Sequence, residues 1–137
     1  MLKNNMIKSI TILIAFICIN AISVLAQDNN LPEKTLKFNE IEYDFGQIEE
    51  GDIATHVFEF KNISKEKITI SSVKASCGCT TPDWTKEPIK KKGNGSITAS
   101  YNSAGRPGIF QKSLTVFTSK GQIVLTIKGH VIDKKTQ

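Results

Sequence analysis

The sequence predicts an all-β protein, an immunoglobulin-like β-sandwich of about seven strands. Two observations carry this. Apolar residues alternate singly with polar ones in short runs, and turn-forming residues separate those runs. A third supports it: no window holds a sustained i, i+3, i+4 apolar stripe, so helices are expected to be minor at most. A small open barrel is the alternative arrangement of the same strands.

The runs follow one another along the chain. Leu36 and Phe38 flank Lys37, and Ile41, Tyr43 and Phe45 flank Glu42 and Asp44. Phe58 and Phe60 flank Glu59, and the run closes at Lys61-Asn62. Ile68, Ile70 and Val73 form the next, and a long irregular piece follows. Ile97, Ala99 and Tyr101 resume the alternation, then Leu114 and Val116, then Ile123, Leu125 and Ile127. In each run the period of two puts one face in the core and the other in water. Between the runs stand Gly46, Glu50-Gly51-Asp52, Gly93-Asn94-Gly95, Gly105-Arg106-Pro107-Gly108 and Lys120-Gly121, which are turn chemistry. No internal repeat or low-complexity stretch interrupts the pattern.

The first 26 residues have a different character and are expected to be a cleavable signal peptide. Lys3 and Lys8 supply a positive start, Ile10 to Ile19 an apolar run, and Val24 and Ala26 the small residues that precede a cleavage site. An uncleaved anchor fits less well, because Asn20 and Ser23 interrupt the apolar stretch. Residues 27–34 form a polar spacer, 35–133 the sandwich and 134–137 a polar tail. Cleavage removes two lysines and one cysteine, so 18 basic residues become 16 against 13 acidic and the formal charge falls from +5 to +3. No later run approaches membrane-spanning length, so the product is expected to be secreted or periplasmic, with no stable membrane insertion once the signal is gone. Disulfides are permitted in such a compartment.

Charge is uneven along the chain. Residues 28–66 carry 10 acids and 4 bases, whereas 67–137 carry 12 bases and 3 acids. The halves of a sandwich interleave, so the asymmetry is expected to help early strands pair with late ones. Lys86, Lys90, Lys91 and Lys92 gather near Trp84, where a solvated loop is the better account than a nucleic-acid surface. No nucleic-acid partner is expected. Glu49, Glu50 and Asp52 are the densest acidic group and fall at a turn, where solvation or modest Ca²⁺ affinity is all they suggest. Asn62-Ile63-Ser64 and Asn94-Gly95-Ser96 match the glycosylation acceptor pattern. No hydrolase, phosphate-loop or paired His/carboxylate pattern is present, so no enzymatic activity is predicted.

One constellation is unusual: Ser76-Cys77-Gly78-Cys79-Thr80, with Trp84 shortly after. With the Tyr43-Asp44-Phe45-Gly46 entry, Phe58 to Asn62, Pro88-Ile89, Gly93 to Ile97, Arg106 to Phe110 and the closing Gly129-His130-Val131, the chain resembles the bacterial domain of unknown function 1573 family over about residues 36–132. Lys92 stands where that family usually has a proline. The family is similar to major-sperm-protein and Hydin-type immunoglobulin-like modules. The resemblance therefore implies a sandwich, and it implies no established activity.

Cys77, Gly78, Cys79, Thr80 and Trp84 are the candidate binding or redox residues. In an extended strand residues i and i+2 lie about 6.5–7 Å apart, the limit for a disulfide, and Gly78 is expected to supply the bend that joins the sulfurs. Such a bridge is a poor staple: the chain-entropy estimate is about 1.6 kcal/mol for three residues against roughly 4–5 for a long loop. A structural part in loop packing, with or without the bridge, is expected ahead of redox chemistry, metal binding or intermolecular pairing. Exchange chemistry would need a lowered thiolate pKa, from a helix end or a cation such as Lys74 or Lys86. Two thiolates could instead hold Cu(I), whereas tetrahedral zinc would need His56 and His130 as well. No cofactor or metal is predicted; if a metal bound, Cys77 and Cys79 would be its ligands. Trp84 is expected as a lid over one end of the core. The expected function is an exported, non-enzymatic structural or protein-binding module of the cell envelope, its partner unknown. Thiol redox or Cu(I) binding through Cys-Gly-Cys is the alternative.

Overall fold

The computed structural model describes residues 35–133, so the leader, the spacer and the polar tail lie outside the described residues. Eight strands follow one another: β1 (Leu36–Phe38), β2 (Glu42–Glu49), β3 (Ile53–Asn62), β4 (Ile70–Ala75), β5 (Thr80–Trp84), β6 (Asn94–Asn102), β7 (Gly108–Thr118) and β8 (Gly121–Ile132). No helix occurs among the described residues. Two four-stranded sheets are ordered β1-β3-β6-β5 and β2-β8-β7-β4. All pairings are antiparallel except β2 with β8.

The strand beyond the expected seven is β5, inside the stretch the sequence left irregular. Thr80, Pro82 and Trp84 alternate inward opposite Tyr101, Ala99 and Ile97, but Pro82 occupies the middle inward position and masks the pattern. Proline is tolerated because β5 is an edge strand, bonded to β6 alone. β2 carries a bulge, its register jumping between Asp44 and Gln47. Gly46 sits there at φ +64°, its N–H donated to the Asp44 carboxylate at 2.8 Å.

The inward faces meet in a single core built on Phe58, Ile97, Tyr101, Leu114, Val116, Leu125 and Ile127. Tyr101 stacks on Phe110 with ring centroids 4.0 Å apart, and burial pushes its phenol pKa up. At one end Ser103 shares its hydroxyl between the Glu49 and Asp52 carbonyls, and the Glu50 carboxylate accepts the Gly105 N–H. The acidic turn is thus a structural junction with the β6–β7 loop. At the other end Asn62 is 0% exposed. Its amide donates to the Glu66 and Ile89 carbonyls (2.8 and 2.9 Å), and its oxygen accepts the Ser64 N–H and hydroxyl. Both amide hydrogens are committed, so this Asn-x-Ser is closed to glycosylation in the folded protein. Lys92 adopts φ 62°, a conformation proline cannot reach, and donates its N–H to the Asn62 carbonyl.

The early acidic and late basic segments do meet. Lys128 pairs with Glu42 across β8 and β2, and Lys120 pairs with Glu66. Glu42 raises the Lys128 pKa, and Lys120 lowers that of Glu66. Both pairs are exposed and add register more than stability.

Candidate functional site

The Ser-Cys-Gly-Cys-Thr segment forms a knuckle at the point where the chain leaves β4 in one sheet and enters β5 in the other. Each end is tied to a different sheet. Ser76 donates its N–H to the Ser113 carbonyl (2.9 Å) and accepts the Ser113 N–H on its hydroxyl (3.1 Å), which extends the β4–β7 ladder by a step. The Cys79 carbonyl accepts the Asn102 N–H at the end of β6 (2.9 Å). Between these anchors Cys77 and Cys79 are joined by a disulfide with Cα atoms 5.3 Å apart.

The bend is therefore real, but Gly78 is not what permits it. Its φ lies outside the left-handed range, and a Cβ there would meet nothing within 4 Å. The turn is set by the two anchors, the bridge and the Thr80 N–H donated to the Cys77 carbonyl (3.4 Å). Gly78→Ala is accordingly expected to change the unfolding free energy by less than about 1 kcal/mol and to leave the bridge formed, as urea unfolding and thiol titration would check.

The two sulfurs are not equivalent. Cys77 is half-buried, while Cys79 is 8% exposed and belongs to the core cluster. Thr80 is buried beside them, its Oγ1 3.8 Å from the Cys77 sulfur and 4.0 Å from that of Cys79. A disulfide carries no S–H, so the threonine hydroxyl is the donor, with its one hydrogen available to either sulfur. As bridged, neither sulfur is a thiolate, and Cu(I) ligation would require prior reduction. No group of three or more His, Cys, Asp or Glu side chains suited to a metal occurs among the described residues.

Trp84 is half-buried, packs against the core from β5 and lies under the Lys86 ammonium, 3.0 Å from the ring centroid. Lys86 also pairs with Asp83 at 3.1 Å. The backbone N–H of Trp84, then Lys86, lowers the Asp83 pKa. The tryptophan thus covers an edge of the core, and its face is occupied.

The histidines are placed apart. His56, on the inner face of β3, stacks on Tyr43 (centroids 3.6 Å) and meets Phe58 edge-on. Its Nε2 lies 3.1 Å from the Glu40 carboxylate, misaligned for a hydrogen bond. His130 lies in register with Ile109 on the other sheet, where a groove of about 370 Å³ follows the β2 bulge. Asp44, Gln47, Gln111, Lys128 and His130 line it, and Ile109 stands on its rim, 88% exposed. Sequence reasoning missed this groove, because it depends on the parallel β2–β8 pairing between segments some 80 residues apart. Gly46 was the available signal, since a glycine inside an alternating run marks a bulge.

The family model for proteins of unknown function, DUF1573, matches residues 36–131. The chain belongs to the DUF1573 family. Among solved structures, this DUF1573 domain is similar to a protein of unknown function from Porphyromonas gingivalis W83, with TM-score 0.62, 14% identity and 70% of this chain covered. It spans 46% of that protein's length. The PapD-like domain 7 of human CEP192 superposes with TM-score 0.61 at 9% identity, covering 73% of this chain and 87% of that one. The Caenorhabditis elegans major-sperm-protein family member WR4 gives 0.53 at 9% identity, covering 72% and 99%. At such identities the likeness establishes the fold alone, an immunoglobulin-type sandwich of the PapD-like and major-sperm-protein kind. No curated protein sequence matches the chain.

Proposed function

We propose that this DUF1573 protein is an exported, non-enzymatic module that binds a protein partner in the cell envelope, using the outer face of the β2-β8-β7-β4 sheet around Ile109. Ile109 carries the reading. It is the most exposed large hydrophobic residue among the described ones, and it borders a groove lined by amide, carboxylate, ammonium and imidazole groups. An exposed apolar anchor ringed by polar groups is the composition of a recognition surface. Export is supported by the basic, apolar and small-residue order of positions 1–26, and N-terminal sequencing of the mature protein is expected to begin at Gln27.

The docking test is a capture experiment on envelope extract with three proteins. Wild type is expected to retain a specific partner, and Ile109→Asp to lose it by about tenfold or more, the loss of one anchor worth ~1.4–2 kcal/mol. Val57→Asp, on the opposite outer face where Val57 is 45% exposed, is expected to bind normally. Equal capture by all three sinks the assignment of the face.

A second reading rests on the Cys77–Cys79 bridge, which serves thiol–disulfide exchange. A ring of three residues stabilises a fold by only about 1.6 kcal/mol, so its role is better sought in chemistry than in stability. The double variant C77S/C79S is expected to stay folded, with a cost no greater than ~2 kcal/mol, and to lose reactivity toward dithiols. Collapse of that variant would make the bridge structural.

A further inference from the structure

The geometry points to a directed exchange at the bridge: a protein dithiol attacks the sulfur of Cys77 in preference to that of Cys79, and Cys79 leaves as a thiolate held by Thr80. This rests on the second reading above and adds to it the point of attack, the leaving group and the class of partner.

An attacking thiolate must approach along the S–S axis from outside the molecule. The knuckle offers that approach at Cys77, which is half-buried, and denies it at Cys79, which lies in the core cluster with Phe58, Ile97 and Tyr101. Attack from the solvent side then pushes electron density inward, onto the Cys79 sulfur. The group that meets it is Thr80, a buried hydroxyl 3.8 Å from the Cys77 sulfur and 4.0 Å from the Cys79 sulfur, which is free to turn to Cys79 once Cys77 is bonded to its new partner. A hydroxyl donor lowers the cost of forming a thiolate in an apolar setting, where an unassisted sulfur would be a poor leaving group. The sequence Ser-Cys-Gly-Cys-Thr thus contains an anchor at Ser76, an electrophilic sulfur at Cys77 and a leaving sulfur at Cys79 with its donor at Thr80.

The step balances. The partner's thiolate forms a new S–S bond with Cys77 as the Cys77–Cys79 bond breaks, and the electron pair goes to Cys79, which takes a proton from solvent. The partner's second thiolate then attacks its own sulfur in the mixed disulfide, and Cys77 departs and is protonated. The dithiol is oxidised by two electrons, the bridge is reduced by two, and two protons pass from the dithiol to the two cysteines. Opening the bridge removes one of the constraints on the start of β5, leaving the Asn102 bond to the Cys79 carbonyl and the β6 ladder, and the first β5 amides are expected to exchange hydrogen faster in the reduced protein.

The test uses the wild-type oxidised chain and glutathione as the probe, with samples quenched early by N-ethylmaleimide and read by peptide mass spectrometry. Glutathione is expected on Cys77 and maleimide on Cys79, with about a tenfold excess of that isomer. Equal labelling, or glutathione chiefly on Cys79, overturns the direction while leaving the exchange reading standing. A folded bridge that resists both glutathione and dithiothreitol, while the urea-unfolded chain is reduced, removes the exchange reading itself. Thr80 is tested as a positioning residue. Thr80→Val is expected to slow the reaction about three- to tenfold and to raise the thiol pKa of Cys79 in a Cys77→Ser background, followed by thiolate absorbance. Thr80→Ser is expected to restore both. An unchanged Cys79 pKa in the valine variant would show that the hydroxyl is only filling space.

Discussion

Phe58→Ala is expected to destabilise the domain by about 3–5 kcal/mol, a large share of the ~5–15 kcal/mol that holds a domain of this size together. Phe58 is 0% exposed, lies in register with Ile97 across the β3–β6 ladder and makes a T-shaped contact with the His56 ring, centroids 4.7 Å apart. Truncation removes a whole ring from between two sheets whose strands are fixed by their ladders, so the cavity cannot close by a shift of one element. The neighbouring Val57→Ala, on the outer face and 45% exposed, is expected to change stability by no more than about 0.5 kcal/mol. Urea unfolding separates them: the midpoint of Phe58→Ala should fall sharply at an unchanged slope, and that of Val57→Ala should barely move. Comparable losses from both would mean that β3 does not bury the face assigned to it.

That contrast also explains how much of the fold was legible. Alternation along β3, β6, β7 and β8 identified Phe58, Phe60, Ile97, Tyr101, Leu114, Val116, Leu125 and Ile127 as inward, and all are buried. Period-two burial is a local property, written in neighbouring residues, and so it can be recovered from one sequence. β5 escaped because its inward row is Thr80, Pro82 and Trp84, a polar residue and a proline ahead of one aromatic. Its strand character comes from β6, whose partners Tyr101, Ala99 and Ile97 supply the ladder. Tertiary pairing overrode local propensity there.

The candidate site divides in the same way. The Cys-Gly-Cys spacing announced a possible bridge, and the bridge is formed. What the spacing could not carry was the difference between its two sulfurs, because that depends on which one β5 turns toward the core. Nor could it assign the bend correctly. Gly78 invited a conformational account, whereas the turn is held by the bridge, by the local Thr80 N–H to Cys77 carbonyl bond and by the hydrogen bonds of Ser76 to Ser113 and of Asn102 to Cys79, across 37 and 23 residues of sequence. The groove beside Ile109 is non-local in both its walls and stayed invisible except through Gly46.

Asn62→Asp is expected to cost about 3–5 kcal/mol at pH 7, though the two side chains have nearly the same shape. The native amide donates to the Glu66 and Ile89 carbonyls from a fully buried position, and so fixes the turn after β3 against the loop before β6. A carboxylate has no hydrogen to offer. It would face two carbonyl oxygens at 2.8 and 2.9 Å while retaining only the bonds from Ser64. The Ile89 carbonyl keeps the Ile68 N–H, and the Glu66 carbonyl keeps at most a share of the single Ser64 hydroxyl hydrogen, so the penalty lies mainly in repulsion and a buried charge, with one weakened acceptor added. This gives the variant a pH signature. Burial and the two carbonyls hold the new carboxyl's folded pKa above its unfolded value of about 3.9, so the folded state binds the proton more tightly. The penalty is therefore complete at pH values above the folded pKa and shrinks as pH falls toward the unfolded one, where the protonated group donates to one carbonyl again. Asn62→Ala, with nothing to titrate, should lose about 2–3 kcal/mol at every pH. Unfolding measured at pH 7 and near pH 4.5 decides the matter: the gap between the aspartate variant and wild type must narrow while that of the alanine variant stays constant. A pH-independent cost for Asn62→Asp would mean that its amide is not the donor joining the two loops.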